Sequence, residues 1–251
     1  DYCIKKHKPD YILLINDDAW VNKKIFQELN KCIDNSPEVI IPMIFRPDNK
    51  NLDSFGVEYF QSGYSKNNVF KNTPTQLASA SCVLISASGL KKIKKLYGNY
   101  FTEIFGWYIE DVELFLRLRI IGAKFIKNPK MIANHIGSST WGINSYFPSF
   151  HGARNTLWTI IINWPKKLII RNIFNILLIQ FWVFLFNTYK HGPGLYFRVL
   201  KETMQNFRQL TEIRKRYSKI SSTSTFFNRR NKNIFSPVSF RTKQKIIVPG
   251  F

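Results

Sequence analysis

The sequence predicts an open α/β sheet flanked by helices, and three observations carry that expectation. Tyr11–Ile15 is an unbroken apolar run of strand length, as a buried strand of parallel type should be. It stops at Asn16-Asp17-Asp18, and over 22–33 the apolar residues fall at Ile25, Phe26, Leu29 and Ile33, the spacing of one helical face. Strand-like and helix-like segments then keep alternating, as in a sheet whose ligand sites lie at the carboxyl ends of its strands.

Each element has a local reason. Residues 1–8 read as the last turns of a helix, and Asn22 is placed to cap the helix that follows the acidic turn. Val39–Phe45 is the next strand. Residues 46–53 form a polar loop with Pro47 and Asp48-Asn49 as turn chemistry. Residues 77–86 read as one strand rich in small side chains (Ala78, Ser79, Ala80, Ser81), and 88–96 as a short basic helix. An aromatic segment leads into Ile109-Glu110-Asp111 and a helix over 111–121 that Gly122 closes. Two short strands, 123–126 and 131–135, flank a turn at Asn128-Pro129.

Composition bounds the function. The 251 residues are 45% hydrophobic, enough for a packed core, so wholesale disorder is excluded. The cysteines Cys3, Cys32 and Cys82 are few, scattered and odd in number, which excludes a disulfide framework and a CxxC zinc site. Position 1 is Asp and no basic, apolar leader precedes the first loop, so the chain reads as an N-terminally truncated fragment of a longer product. Residues 1–150 hold 19 basic and 14 acidic side chains, whereas 151–251 hold 18 basic side chains against only Glu202 and Glu212. The basic part is suited to phosphates, of nucleic acid or of an anionic membrane leaflet.

The organisation expected is a partial catalytic domain over 1–156, a membrane-associated helical region over 157–217, and a basic, disordered tail over 218–251. Pro165 breaks an apolar segment, and 172–189 contains no charged residue. A spanning helix needs about 20 mainly apolar residues, and Asn172, Asn175, Gln180 and Asn187 weaken this one. Lipid contact is expected, as a span, a hairpin or an interfacial helix. Beyond Gly194 a basic amphipathic helix runs to about Tyr217.

The chemistry starts at the acidic turn. A hard divalent cation and a diphosphate need oxygen ligands offered from a rigid edge, and Asn16-Asp17-Asp18 at a strand's carboxyl end supplies them. The same acids also suit a turn that starts a helix. Across residues 1 to about 215 the chain resembles the family 2 inverting glycosyltransferases, with a GT-A fold. The pieces that carry the resemblance come in the family's order: Tyr11-Ile-Leu-Leu-Ile-Asn-Asp-Asp18 is similar to its DxD-type strand end, and Ile109-Glu-Asp-Val-Glu-Leu-Phe-Leu-Arg-Leu-Arg119 with Gly122 to its ED-containing helix. His135-Ile-Gly-Ser-Ser139 is similar to its late histidine segment, and Arg154-Asn155 before an apolar stretch to its rhamnosyltransferase-like branch.

The resemblance implies a GT-A type open mixed sheet flanked by helices, here the metal and acceptor half of the catalytic domain, followed by apolar and basic helices. It implies that Asp18 and His135 hold a divalent cation, Mn2+ or Mg2+, that bridges the donor diphosphate. Asp17 then supports, and Asn16 stands where the family more often has Asp, at a loss of one charge. It implies that Asp111, beside Glu110, is the general base. Neighbours on a helix point about 100° apart, so only one of the two is expected to aim into the cleft. Placement at a helix start lowers a carboxyl pKa whereas a base benefits from a raised one, so Phe105, Trp107 and Tyr108 are expected to desolvate it. Trp107 and Tyr108 are expected against an acceptor sugar, and Ala80 and Ser81 near the donor sugar. Arg154 is unassigned between a donor diphosphate and an acceptor phosphate, and Arg117 or Arg119 is expected to pair with neighbouring acids.

The activity so implied is metal-dependent transfer from a nucleotide-diphospho-sugar to a glycan or lipid-linked acceptor, at the cytoplasmic face of the cell membrane. Two other classes compete with it: a nucleic-acid-binding basic protein and a catalytically inactive membrane scaffold. Nucleic acid is not expected, because an uncharged apolar run interrupts the basic residues and no recognition motif is present.

Overall fold

The computed structural model describes residues 2–73, 75–137 and 145–223, so Ser138, Ser139 and the tail from 224 lie outside the described residues. In chain order the elements are α1 (Tyr2–His7), β1 (Tyr11–Ile15), β2 (Ala19–Val21), α2 (Lys24–Ile33), β3 (Val39–Phe45), β4 (Leu52–Ser54), β5 (Val57–Tyr59), β6 (Ser65–Asn67), β7 (Cys82–Ser86) and α3 (Ala87–Tyr97). After a 3-10 turn at Glu103–Phe105 come α4 (Glu110–Ile120), β8 (Phe125–His135), α5 (Tyr146–Asn163), α6 (Lys166–Arg171), α7 (Ile173–His191), α8 (Gly194–Gln205) and α9 (Phe207–Thr223). The result is the predicted class, a mixed α/β architecture with helices flanking an open mixed sheet.

The sheet order is β1-β7-β3-β8-β2, with β4 added beside β3; β5 and β6 form a separate hairpin. β1 is not the buried parallel strand expected: it is half-buried at the sheet's edge and antiparallel to β7. An apolar run favours a strand but fixes neither its partners nor its depth in the sheet. The parallel pair is β3 with β8, whose register shifts at Pro42/Met43. That irregularity absorbs the Asn128-Pro129 turn, so the two short strands expected there are one. The strand expected over 77–86 begins only at Cys82, because Ser79 to Ser81 leave the ladder and the Ser79 and Ser81 hydroxyls bond each other at 2.7 Å. Asn22 caps α2 from one position farther out than expected, its Oδ1 accepting from Lys24 N at 3.0 Å. The basic helix beyond Gly194 is two helices broken at Asn206, and the second runs past Tyr217 to Thr223.

Burial alternates along the central strands as their pleat requires. From β3, Val39, Ile41, Met43 and Phe45 enter the main core, whereas Ile40 and Ile44 face α2, which contributes Ile25 and Cys32. The main core also takes Leu114, Phe115 and Leu118 of α4, Trp158 and Ile162 of α5, and Leu210, Ile213 and Tyr217 of α9. The helices beyond 157 therefore share a core with the sheet.

Inside that core lies an ion pair. Glu113 and Arg117, both fully buried, meet at 2.9 Å. Thr102 donates to Glu113 at 3.1 Å and Asn163 at 3.2 Å, while Arg117 donates to the carbonyls of Asn99 and Tyr100. The pair ties α4 to α5 and to the loop after α3, and Arg117 stacks within 5.6 Å of Tyr217 on α9. Removing one partner strands the other charge in an apolar interior. Glu113→Gln should therefore cost about 3–5 kcal/mol in urea unfolding, and a loss below ~1 kcal/mol, the scale of exposed pairs, would contradict this account.

Candidate functional site

One cleft of about 470 Å³ lies at the carboxyl end of β1, and Asn16, Asp17, Asp18, Ser79, Ala80, Ser81, Trp107, Tyr108, Glu110, Asp111 and His135 all line it. β1 and β7 bring the first two groups together, since Ile15 pairs with Cys82 and Asn16 N–H donates to the Ser81 carbonyl at 3.2 Å. β2 pairs Ala19 with His135 and so places the histidine beside the acidic turn.

On that wall Asp18 Oδ1 lies 3.0 Å from His135 Nε2, and Asn16 Nδ2 lies 3.3 Å from the same nitrogen. His135 Nδ1 is held at 2.8 Å by Asp53, which is itself paired with Arg46 at 2.6 Å. Gly137, at φ +71°, donates its N–H to Asp18 Oδ2 at 3.2 Å, and a Cβ there would strike the Arg46 guanidinium. Burial pulls the His135 pKa down, but the hydrogen bond with Asp53 and the charges of Asp53 and Asp18 outweigh it, so it stands above its ordinary value. Asp53 and Arg46 were missed by the sequence reading, which took 46–53 as a turn; a carboxylate behind a histidine leaves no local pattern.

A cation would meet Asp18 and His135. Their facing atoms lie 3.0 Å apart, so one oxygen and one nitrogen donor stand together on the same wall. Among the described residues no group of three His, Cys, Asp or Glu side chains is arranged to hold a metal. The donor set thus fits a hard cation that takes its remaining ligands from substrate phosphate and water.

The opposite wall is the start of α4. Tyr108 and Ile109 both have left-handed backbones, at φ 66° and 69°, a strained conformation for such side chains. Asn155, buried in α5, holds them there: its Nδ2 lies 2.9, 2.8 and 2.7 Å from the carbonyls of Phe105, Trp107 and Tyr108. Both Glu110 and Asp111 line the cleft. Asp111 accepts from Ala80 N–H at 2.9 Å and Val112 N–H at 2.7 Å, whereas Glu110 Oε2 is buried with no hydrogen-bond partner. Burial raises the Asp111 pKa against those two N–H groups. Burial first, then the Asp111 charge, pushes Glu110 up to about 7. Trp107 is not the desolvating wall expected; it is 65% exposed, edge-on to Phe147 and His151, and free to meet a ligand.

No protein-family model matches the chain, and no curated protein matches it. Among solved structures it is similar to A197 from STIV, at 16% identity and a TM-score of 0.37 over 53% of this chain and 60% of that one. It is also similar to GalNAc-T7, crystallised with UDP, GalNAc and Mn2+, at 13% identity and a TM-score of 0.43 over 62% of this chain and 32% of that one. The chain spans less than two thirds of either.

Arg154 is not brought to the cleft. It is buried, paired with Glu202 at 2.8 Å, and donates to the Phe105 carbonyl at 2.9 Å, so with Asn155 it holds the aromatic loop. Arg117 pairs with Glu113, but Arg119 instead donates to the carbonyls of Gln76 and Thr75. Lys66, on the β6 hairpin, also faces the cleft, 3.2 Å from Glu58; a lone lysine in a short polar hairpin gave no signal in sequence.

The raised Glu110 value has a sign. The unfolded chain releases this proton in the ordinary carboxylate range and the folded chain only near 7, so between the two the folded state holds more protons and stability falls as pH rises. Thermal unfolding at pH 5 and pH 8 should show that fall in the wild type and a smaller one in Glu110→Gln; equal falls would remove the shift from Glu110.

Proposed function

We propose that this chain carries the metal and acceptor half of an inverting glycosyltransferase site that uses a nucleotide-diphospho-sugar donor. The observation that carries the reading is the convergence, on one cleft, of every residue the resemblance implies except Arg154 and the buried Phe105. Segments around positions 16, 80, 110 and 135 are far apart in the chain and meet only because the fold assembles them.

In this reading Asp18 and His135 hold the divalent cation, which when bound neutralises charge on the departing diphosphate. Asp53 fixes the imidazole so that Nε2 faces Asp18. Ala80 and Ser81 stand near the donor sugar, and Trp107 offers an exposed ring to the acceptor. Asp111 takes the proton of an acceptor hydroxyl as its oxygen attacks the anomeric carbon, and the nucleotide diphosphate leaves from the opposite side with its bonding pair. A second reading makes Glu110 the base, favoured by its unpartnered oxygen and its value near 7.

The variants separate these roles. Asp111→Asn should lower transfer 10²- to 10⁴-fold with donor binding retained, and Glu110→Gln should change it less; the reverse order would move the base to Glu110. Asp18→Ala and His135→Ala should both shift activity to higher Mn2+ or Mg2+ concentration. Unchanged metal curves in both would show that the two do not share a cation.

We place this site at a membrane surface. α7 has only Ile176 and Asn187 buried, and Phe174, Leu177, Leu178, Phe181 and Leu185 form an exposed apolar stripe that Phe197, Leu200 and Met204 of α8 continue. It is long and apolar enough to cross a membrane by length and composition. Lys190, Arg198 and Lys201 beside these faces suit an anionic leaflet. The chain should stay with anionic vesicles in molar salt and be released by detergent; release by salt alone would limit the attachment to charge.

A further inference from the structure

A second cavity, of about 440 Å³, lies between α5 and α7, and its lining includes Gly152, Ala153, Trp182, Val183, Phe186 and Ile109. Three features give it a direction. Ile109 and Ser65 line both this groove and the cleft, so the two adjoin beside Glu110. At the other side Trp182 is 63% exposed, on the helix whose outer stripe is apolar. The groove walls are mainly apolar, in contrast to the carboxylates, amides and hydroxyls of the cleft.

We infer that the groove between α5 and α7 binds the hydrocarbon chain of an amphiphilic acceptor whose hydroxyl-bearing head lies in the adjoining cleft. The inference rests on the proposed transferase reading and narrows its acceptor to the lipid-linked class. A glycan has no use for such walls, since sugars bind through hydrogen bonds and single aromatic faces. A chain already dissolved in a leaflet has a short path along α7 into the groove, whose apolar walls replace the lipid around it. A water-soluble acceptor would need only the cleft.

Gly152 provides the test. An ideal Cβ at this helical position meets no atom within 4 Å, so the side chain of Gly152→Leu starts in open space at the groove wall, and replacing a mid-helix glycine also favours the helix. The probe is a dodecyl maltoside brominated along its chain, used below its micellar concentration, with quenching of tryptophan fluorescence as the readout and Trp182→Phe to assign the signal. Saturable quenching is expected in the wild type, with affinity reduced tenfold or more in Gly152→Leu and no quenching by maltose. Equal affinity in the two proteins would mean that the chain sits on the outer face, and the groove assignment falls.

Transfer, measured with the donor half of the site present, is then compared between one saccharide acceptor in free and dodecyl-linked form. A KM at least tenfold lower for the linked form in the wild type, and equal KM values in Gly152→Leu, supports the inference. Saturable probe binding with equal wild-type KM values overturns it as adventitious detergent binding while leaving the transferase reading intact. Gly152-sensitive binding in a protein with no transfer to any acceptor overturns the transferase reading, and the acceptor role with it.

Discussion

The cleft depends on one buried amide. Asn155 lies in the core of α5, and its Nδ2 meets three carbonyls of the segment from Phe105 to Tyr108. Those bonds hold two consecutive left-handed residues, Tyr108 and Ile109, against the cost of that conformation. Because α4 starts at the next residue, the clamp sets where Glu110 and Asp111 project. Arg154 adds a bond to the same loop and takes its own counter-charge from Glu202 of α8. The helices after the sheet are therefore part of the machinery that aims the carboxylates.

The two walls solve opposite electrostatic problems. Around His135 the carboxylates of Asp53 and Asp18 favour a cation, either the imidazolium or a metal in its place. At the start of α4 the carboxyls lie in partial burial, which favours their neutral forms. Two backbone N–H groups donate to Asp111, whereas Glu110 Oε2 is buried without a hydrogen-bond partner, and burial raises both carboxyls above their ordinary values. Two adjacent acids are thus held in different hydrogen-bond surroundings on one cleft.

The apolar helices place this chemistry. Asn172 and Asn187 are buried and Gln180 accepts from the Tyr196 hydroxyl of α8, so three of the four polar residues that interrupt the apolar run are turned toward the protein. That leaves the outer stripe of α7 uniformly apolar, which the composition of 172–189 alone understates.

Much was legible in the sequence because it is decided within a few residues. Apolar runs gave β1 and β3, and Gly122 at φ +82° closes α4 as its position suggests. The acidic turn, the Glu110-Asp111 pair and His135 were visible as residue types at element ends. Other features depend on segments that meet only in the folded chain. Asp53 reaches His135 across 82 positions, and Asn155 reaches Tyr108 across 47. The edge place of β1, the structural role of Arg154 and the split between Glu110 and Asp111 were likewise decided by tertiary packing. Local spacing fixes which backbone forms and which side chains sit at its ends. Partner, burial and protonation state are set by groups brought close from elsewhere in the chain, and no local pattern encodes those distances.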